Sequence, residues 1–159
     1  MSGQGKIADY VRQLEQLATP DLRRKLSQQL GGVMIRLIND QIDRGVDPYG
    51  LDLKRRTDGV LPLQGLKNTF TASFDEGRAR VSSSKWYSAV HQKGWTIAAQ
   101  NAPYLRFRLP NGAWVSRQSI KIPQRMMVPT EELGLGSTWS TALIEKTTRF
   151  LRDHLQGRG

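Results

Sequence analysis

His91 and His154 are the only histidines in the chain, and there is no cysteine. Acid–base catalysis needs a titratable group within hydrogen-bond reach of a nucleophile or a second acid, and no such partner adjoins either histidine in sequence. His154 falls in the last turn of a C-terminal amphipathic stretch, where an imidazole interacts favourably with the negative helix end, so capping is its first reading. His91 stands one turn after Tyr87 and beside Gly94, and structural hydrogen bonding is read ahead of an acid–base role. Five acids of the middle segment, Asp47, Asp52, Asp58, Asp75 and Glu76, lie in turn-forming strings that account for them without a carboxylate pair. No H-x-x-x-H or other metal spacing occurs, and Leu133-Gly134-Leu135-Gly136 is too short and wrongly placed for a phosphate loop. The lack of cysteine removes a disulfide framework, a thiolate nucleophile and thiolate-ligated metals, and fits assembly in a reducing cytosol. The expectation is therefore no enzyme, no cofactor and no metal, with a hydrolase built on His91 as the weakest alternative.

Trp86, Trp95, Tyr104 and Trp114 are interleaved with basic residues, a pattern compatible with base stacking. Aromatics at alternating strand positions are more often core, and burial is the first reading.

The elements that must position these groups follow from periodicity. Ile7, Tyr10, Val11, Leu14 and Leu17 repeat at helical spacing over residues 5–18. Thr19-Pro20-Asp21 then supplies an N-cap hydroxyl, a first-turn proline and an acid at the positive helix end. A second helix over residues 20–44 would be about 37 Å long, long enough to project beyond its own core, and Gly45 offers its stop. Gly31-Gly32 interrupts it, which calls for a bend or a close backbone contact.

Residues 46–62 have no period but carry Asp47-Pro48-Tyr49-Gly50, Asp58-Gly59 and Pro62, and so read as an interaction loop. Gly65–Phe70 reads as one or two helical turns. Alternation over 69–74 and 78–83 about Glu76-Gly77 marks a hairpin, and 85–93 a short helix closed by Gly94. Residues 95–122 read as strands around Pro110-Asn111-Gly112, and a last helix runs from Ser137 with Trp139, Leu143, Ile144, Thr147, Phe150, Leu151 and Leu155 on one face. The fold class expected is α+β: two N-terminal helices, the second long, a central antiparallel sheet of four or five strands with hairpins, and a C-terminal helix. Residues 1–45 form an N-terminal helical arm and 46–159 the α+β core domain in this reading, the two making one structural domain overall.

The 159 residues carry 24 Lys plus Arg against 14 Asp plus Glu, a net charge of +10. Residues 46–129 hold thirteen basic and five acidic side chains, so the middle of the chain carries most of it. A basic segment can meet nucleic acid, because each neutralised phosphate releases counterions, or an acidic protein surface. No stretch has the ~18 apolar residues of a membrane helix, and MSGQGKIADY lacks the apolar core of a secretory signal.

Five strings, in order, resemble the phage virion morphogenesis family, the tail-completion proteins typified by the G protein of Mu-like phages. They are Asp47-Pro48-Tyr49-Gly50 with Leu53 and Thr57; Leu63-Gln64-Gly65-Leu66 with Ser73; Trp86-Tyr87-Ser88-Ala89-Val90-His91-Gln92-Lys93-Gly94; Asn101–Phe107; and Ile122-Pro123-Gln124-Arg125-Met126-Met127. Gln64, Lys93 and Met126-Met127 depart from the residues usual in that family. The resemblance spans residues 45–155. It implies a non-enzymatic virion component at the head–tail junction or the top of the tail, forming a homo-oligomeric ring, often sixfold, around the DNA channel. Its implied partners are further copies, other neck, tail-tube or head-completion proteins, and passing double-stranded DNA read without sequence specificity, with no membrane. The virion, after assembly in the host cytoplasm, is the implied location. Candidates for subunit-interface or channel contacts are Asp47, Tyr49, Lys54, Arg55, Arg56, Lys67, Arg78, Arg80 and Arg125. The alternative is a stand-alone basic nucleic-acid-binding module.

Overall fold

The computed structural model describes residues 19–56, 59–75 and 77–157. The helix expected over 5–18 lies outside the described residues, as do Thr57, Asp58 and Glu76. Helix α1 runs Pro20–Arg44, as its pattern requires. Thr19 caps it: its Oγ1 accepts from the Leu22 N–H at 3.4 Å and its carbonyl from the Arg23 N–H at 3.1 Å. Leu22, Val33, Ile38 and Ile42 form its buried stripe, and Gly45 at φ 68° ends it.

The chain divides into two compact units. One unit takes in residues up to Leu37, Phe70–Ser82 and the chain from Leu135 onward; the other is Ile38–Thr69 with Ser83–Gly134.

In the first unit, strands β1 (Phe70–Asp75) and β2 (Arg78–Ser83) form the expected hairpin. Gly31 is where it meets α1. A Cβ there would lie 2.5 Å from Phe74 Cε1 and 2.9 Å from Ala72 Cβ, whereas one at Gly32 would meet nothing within 4 Å. The glycine pair therefore serves close packing at one position only. The C-terminal helix, Ser137–Leu155, buries Trp139, but Ile144 and Leu155 of its expected apolar face are exposed.

In the second unit, an isolated antiparallel bridge between Val46 and Asp52 opens the loop that follows α1. Asp47, Pro48 and Pro62 of this loop are buried, whereas Gly50–Asp52, Lys54–Arg56, Gly59 and Val60 are exposed. A single 3-10 turn, Gln64–Leu66, follows. The short helix α2 spans Tyr87–Lys93 and hands over at Gly94 to β3 (Trp95–Ala98). Gly94 has φ 71° and ψ 154°, a region accessible essentially to glycine, and a Cβ there would sit 3.0 Å from the Gln124 amide nitrogen.

The single sheet of four or five strands is not what forms: the six strands among the described residues make three separate two-stranded antiparallel ribbons. β3 pairs with β6 (Ser119–Ile122), Trp95 opposite Ile122; β4 (Leu105–Arg108) pairs with β5 (Trp114–Arg117), Leu105 opposite Arg117. The inner pair is closed by the expected Pro110-Asn111-Gly112 turn, with the Leu109 N–H donating to the Ala113 carbonyl at 2.8 Å. Residues 99–104 are six against Gln118 alone on the returning side, and this mismatch breaks one nested hairpin into two ladders.

Candidate functional site

The second unit is stitched together by side chains from four of the five strings. Asp47, 5% exposed, accepts through Oδ1 from the Tyr49 N–H at 2.8 Å and the Leu51 N–H at 2.9 Å, an Asx turn that starts the loop. The Tyr49 hydroxyl accepts from the Thr130 N–H and donates to the Gly134 carbonyl, both at 3.0 Å, clamping a turn more than eighty residues away. Gln64 donates to the Ile42 carbonyl at 3.0 Å, and the Tyr87 hydroxyl donates to the Gly65 carbonyl at 3.2 Å. Gln92 does most. Its Oε1 accepts from the Met127 and Val128 N–H groups at 2.8 and 3.2 Å, and its Nε2 donates to the Val128 carbonyl at 2.9 Å. Gln124 returns a bond to the Gln92 carbonyl at 3.1 Å, and the Arg125 N–H donates to the His91 carbonyl at 2.7 Å. Helix α2 is thereby fastened along the 124–128 segment.

The buried His91 Nδ1 has no hydrogen-bond partner among the described residues, nor has the Arg125 Nε. The imidazole meets Tyr87 edge-on with ring centres 6.3 Å apart. Burial first, and the Arg125 charge second, hold its pKa below the usual imidazole value, so the ring is neutral near pH 7. Burial, then the Arg56 charge, lowers that of Arg125. No metal-holding group of three or more His, Asp or Glu occurs among the described residues.

The charge candidates are dispersed. Asp47 is buried and Tyr49 half-buried, and both make internal hydrogen bonds. Lys67 pairs with Asp43 at 2.7 Å. Lys54, Arg55 and Arg56 are exposed, and Arg55 Nη1 donates to the Gly59 carbonyl at 3.2 Å. Arg125 is half-buried beside His91, and Arg78 and Arg80 belong to β2 of the other unit.

The surface that does stand out is made of aromatics whose spacing predicts core. Trp86, Trp95 and Trp114 are 78%, 59% and 61% exposed, and Tyr104 is also exposed. Trp86 at the N-cap of α2, Ala89, Val90 and Lys93 within it, and Trp95 and Ile97 of β3 line an apolar groove of about 400 Å³. Opposite pairing sets Trp95 and Ile97 on one face with Ile122 and Ile120, so the groove continues an apolar stripe of the ribbon. Gln92, which sequence reasoning passes over, positions the helical wall; its only signal is membership of the Tyr87–Gly94 string. No helix of the described residues is long and apolar enough to cross a membrane. No family model, curated protein or solved structure matches the chain.

Proposed function

We propose that this chain is a non-enzymatic structural subunit of a phage neck, completing the tail or joining head to tail as a homo-oligomeric, sixfold ring around the DNA channel. The observation that carries the reading is the groove between α2 and β3, whose two exposed tryptophans a lone subunit leaves in water. A ring requires a heterologous contact, in which one patch meets a different patch of the next copy. The turn over residues 130–134 suits the second role: the Tyr49 hydroxyl holds both its ends, and it offers exposed Glu131, Glu132 and Leu133. Leu133 answers the apolar lining of the groove, and the two carboxylates answer Lys93. The ordered strings that resemble the tail-completion proteins add support, since four of them supply the bonds that build this unit.

Sedimentation velocity and negative-stain micrographs of the purified chain over a range of concentrations test it. Rings are expected for the parent chain, and dissociated subunits with unchanged far-ultraviolet circular dichroism for Trp86→Asp. A chain that stays monomeric at all concentrations and is absent from purified virions refutes the reading.

A further inference from the structure

Between Gly77 and Thr130 the chain contains nine Lys and Arg residues and not one Asp or Glu. The β3–β6 and β4–β5 ribbons lie wholly inside this carboxylate-free stretch. In the β4–β5 ladder, Arg106 faces Ser116 and Arg108 faces Trp114 across the strands, while Phe107 faces Val115. Directly opposed residues share a face, so Arg106, Arg108, Trp114 and Ser116 stand together on one side and Leu105, Phe107 and Val115 on the other, with exposed Arg117 at the end of that second side opposite Leu105. All four residues of the first side are exposed; the three apolar residues of the second are half-buried. The side that carries the Arg106–Arg108 pair is the fully solvent-exposed one.

Its arginines are held in place. The Arg106 guanidinium carbon lies 5.1 Å from the Trp114 ring centre, a cation–π contact that orients a planar fork of donors over the ribbon. Arg108 Nε donates to the Gly112 carbonyl at 3.0 Å, which uses one of its five N–H groups and anchors the rest at the turn. The ribbon itself has no carboxylate to draw either guanidinium into an ion pair.

We infer that the Arg106–Arg108–Trp114 face of the β4–β5 ribbon binds the phosphate backbone of double-stranded DNA. A two-stranded ribbon is narrow enough for the major groove, and contacts made through guanidinium groups to phosphates carry no sequence preference. The assignment rests on the ring reading for the presence of DNA and names the element that faces it.

The test is binding of a 30-base-pair duplex of arbitrary sequence, followed by fluorescence anisotropy across a salt series. The parent chain is expected to bind with affinity falling linearly in log salt. Arg106→Glu with Arg108→Glu should weaken binding about tenfold or more and flatten the slope by about 2, one for each phosphate left without its guanidinium. Arg23→Glu with Arg24→Glu makes the same charge change on the exposed first turns of α1 and should leave the slope as it was. No binding by the parent chain, or equal weakening in the two double variants, overturns the assignment. Sedimentation of the same samples separates it from the ring: rings with no difference between the variants sink the ribbon assignment alone, whereas monomers showing the expected weakening uphold it and sink the ring.

Discussion

Replacing Gln92 by alanine removes three hydrogen bonds in one change, at 2.8, 2.9 and 3.2 Å, all to the backbone of Met127 and Val128. A hydrogen bond contributes a net of about 1 kcal/mol, and a buried N–H left without an acceptor costs about 1–3 kcal/mol. Met127 is buried, so water does not readily replace the missing acceptor at its amide. The expected loss is therefore about 3 kcal/mol, a large share of the roughly 5–15 kcal/mol typical of a folded domain. Gln92→Glu keeps an acceptor for both N–H groups and loses only the donor to the Val128 carbonyl, so it should cost about half as much. Urea unfolding followed by tryptophan fluorescence measures both. Hydrogen exchange gives the local readout, with the Met127 and Val128 amides expected to exchange faster in the alanine variant. An alanine variant within about 0.5 kcal/mol of the parent, with both amides still protected, would refute the view that Gln92 fastens α2 to the 124–128 segment.

The remaining expectations are smaller or more local. Tyr49→Phe deletes the hydroxyl that clamps the 130–134 turn and should cost about 1–2 kcal/mol, read as a fall in melting temperature of roughly 2–8 °C; an unchanged melting temperature would contradict it. Gly32→Ala should stabilise α1 by up to about 1 kcal/mol through helix propensity, whereas Gly31→Ala must fit a methyl against Phe74 and Ala72 and should be the less stable of the two by about 1–3 kcal/mol. Equal effects in thermal melts would show that the close approach is not real. For His91, the folded chain binds its proton less readily than the unfolded chain does, so stability is lost as pH falls below the ordinary imidazole value and down through the lowered one. His91→Gln should lose less stability than the parent between about pH 7.5 and 5.5, the difference staying under the one-proton limit of about 1.4 kcal/mol per pH unit; parallel pH profiles would exclude the effect.

What was legible in the sequence was local. The boundaries of α1 follow from Thr19-Pro20 and Gly45, and the β4–β5 turn from Asn111-Gly112, because caps and tight turns are decided by a few adjacent residues. The joining of strands into one sheet is a lateral, long-range matter that alternation does not report. Six residues from Ala99 to Tyr104 against a lone Gln118 were enough to split the ladder. Alternation also says which residues share a face and not whether anything covers it, which is why Trp95 and Trp114 read as core and stand in solvent. Within the 46–62 loop Asp47, Pro48 and Pro62 are buried while Lys54, Arg55 and Arg56 are exposed, and a turn residue carries no mark in the sequence of which way it points. The bonds that build the candidate site, from Tyr49 to Thr130 and from Gln92 to Val128, join residues 81 and 36 positions apart, with no periodic trace.

The two exposed surfaces of the second unit obey different physics, and salt separates them. Apolar contact at the α2–β3 groove depends on removing Trp86, Trp95 and Ile97 from water, and added salt does not weaken that removal. Phosphate contact at Arg106 and Arg108 depends on counterion release and loses affinity steeply with ionic strength. If the groove joins copies of the chain and the ribbon meets DNA, raising sodium chloride from about 0.1 to 0.5 M should strip DNA from the particle while rings persist. Light scattering and duplex anisotropy on one sample read both. Rings that dissolve in step with DNA release would mean that charge, not the tryptophan groove, holds the subunits together, and the net +10 would then belong to the subunit contact as well as to the ribbon.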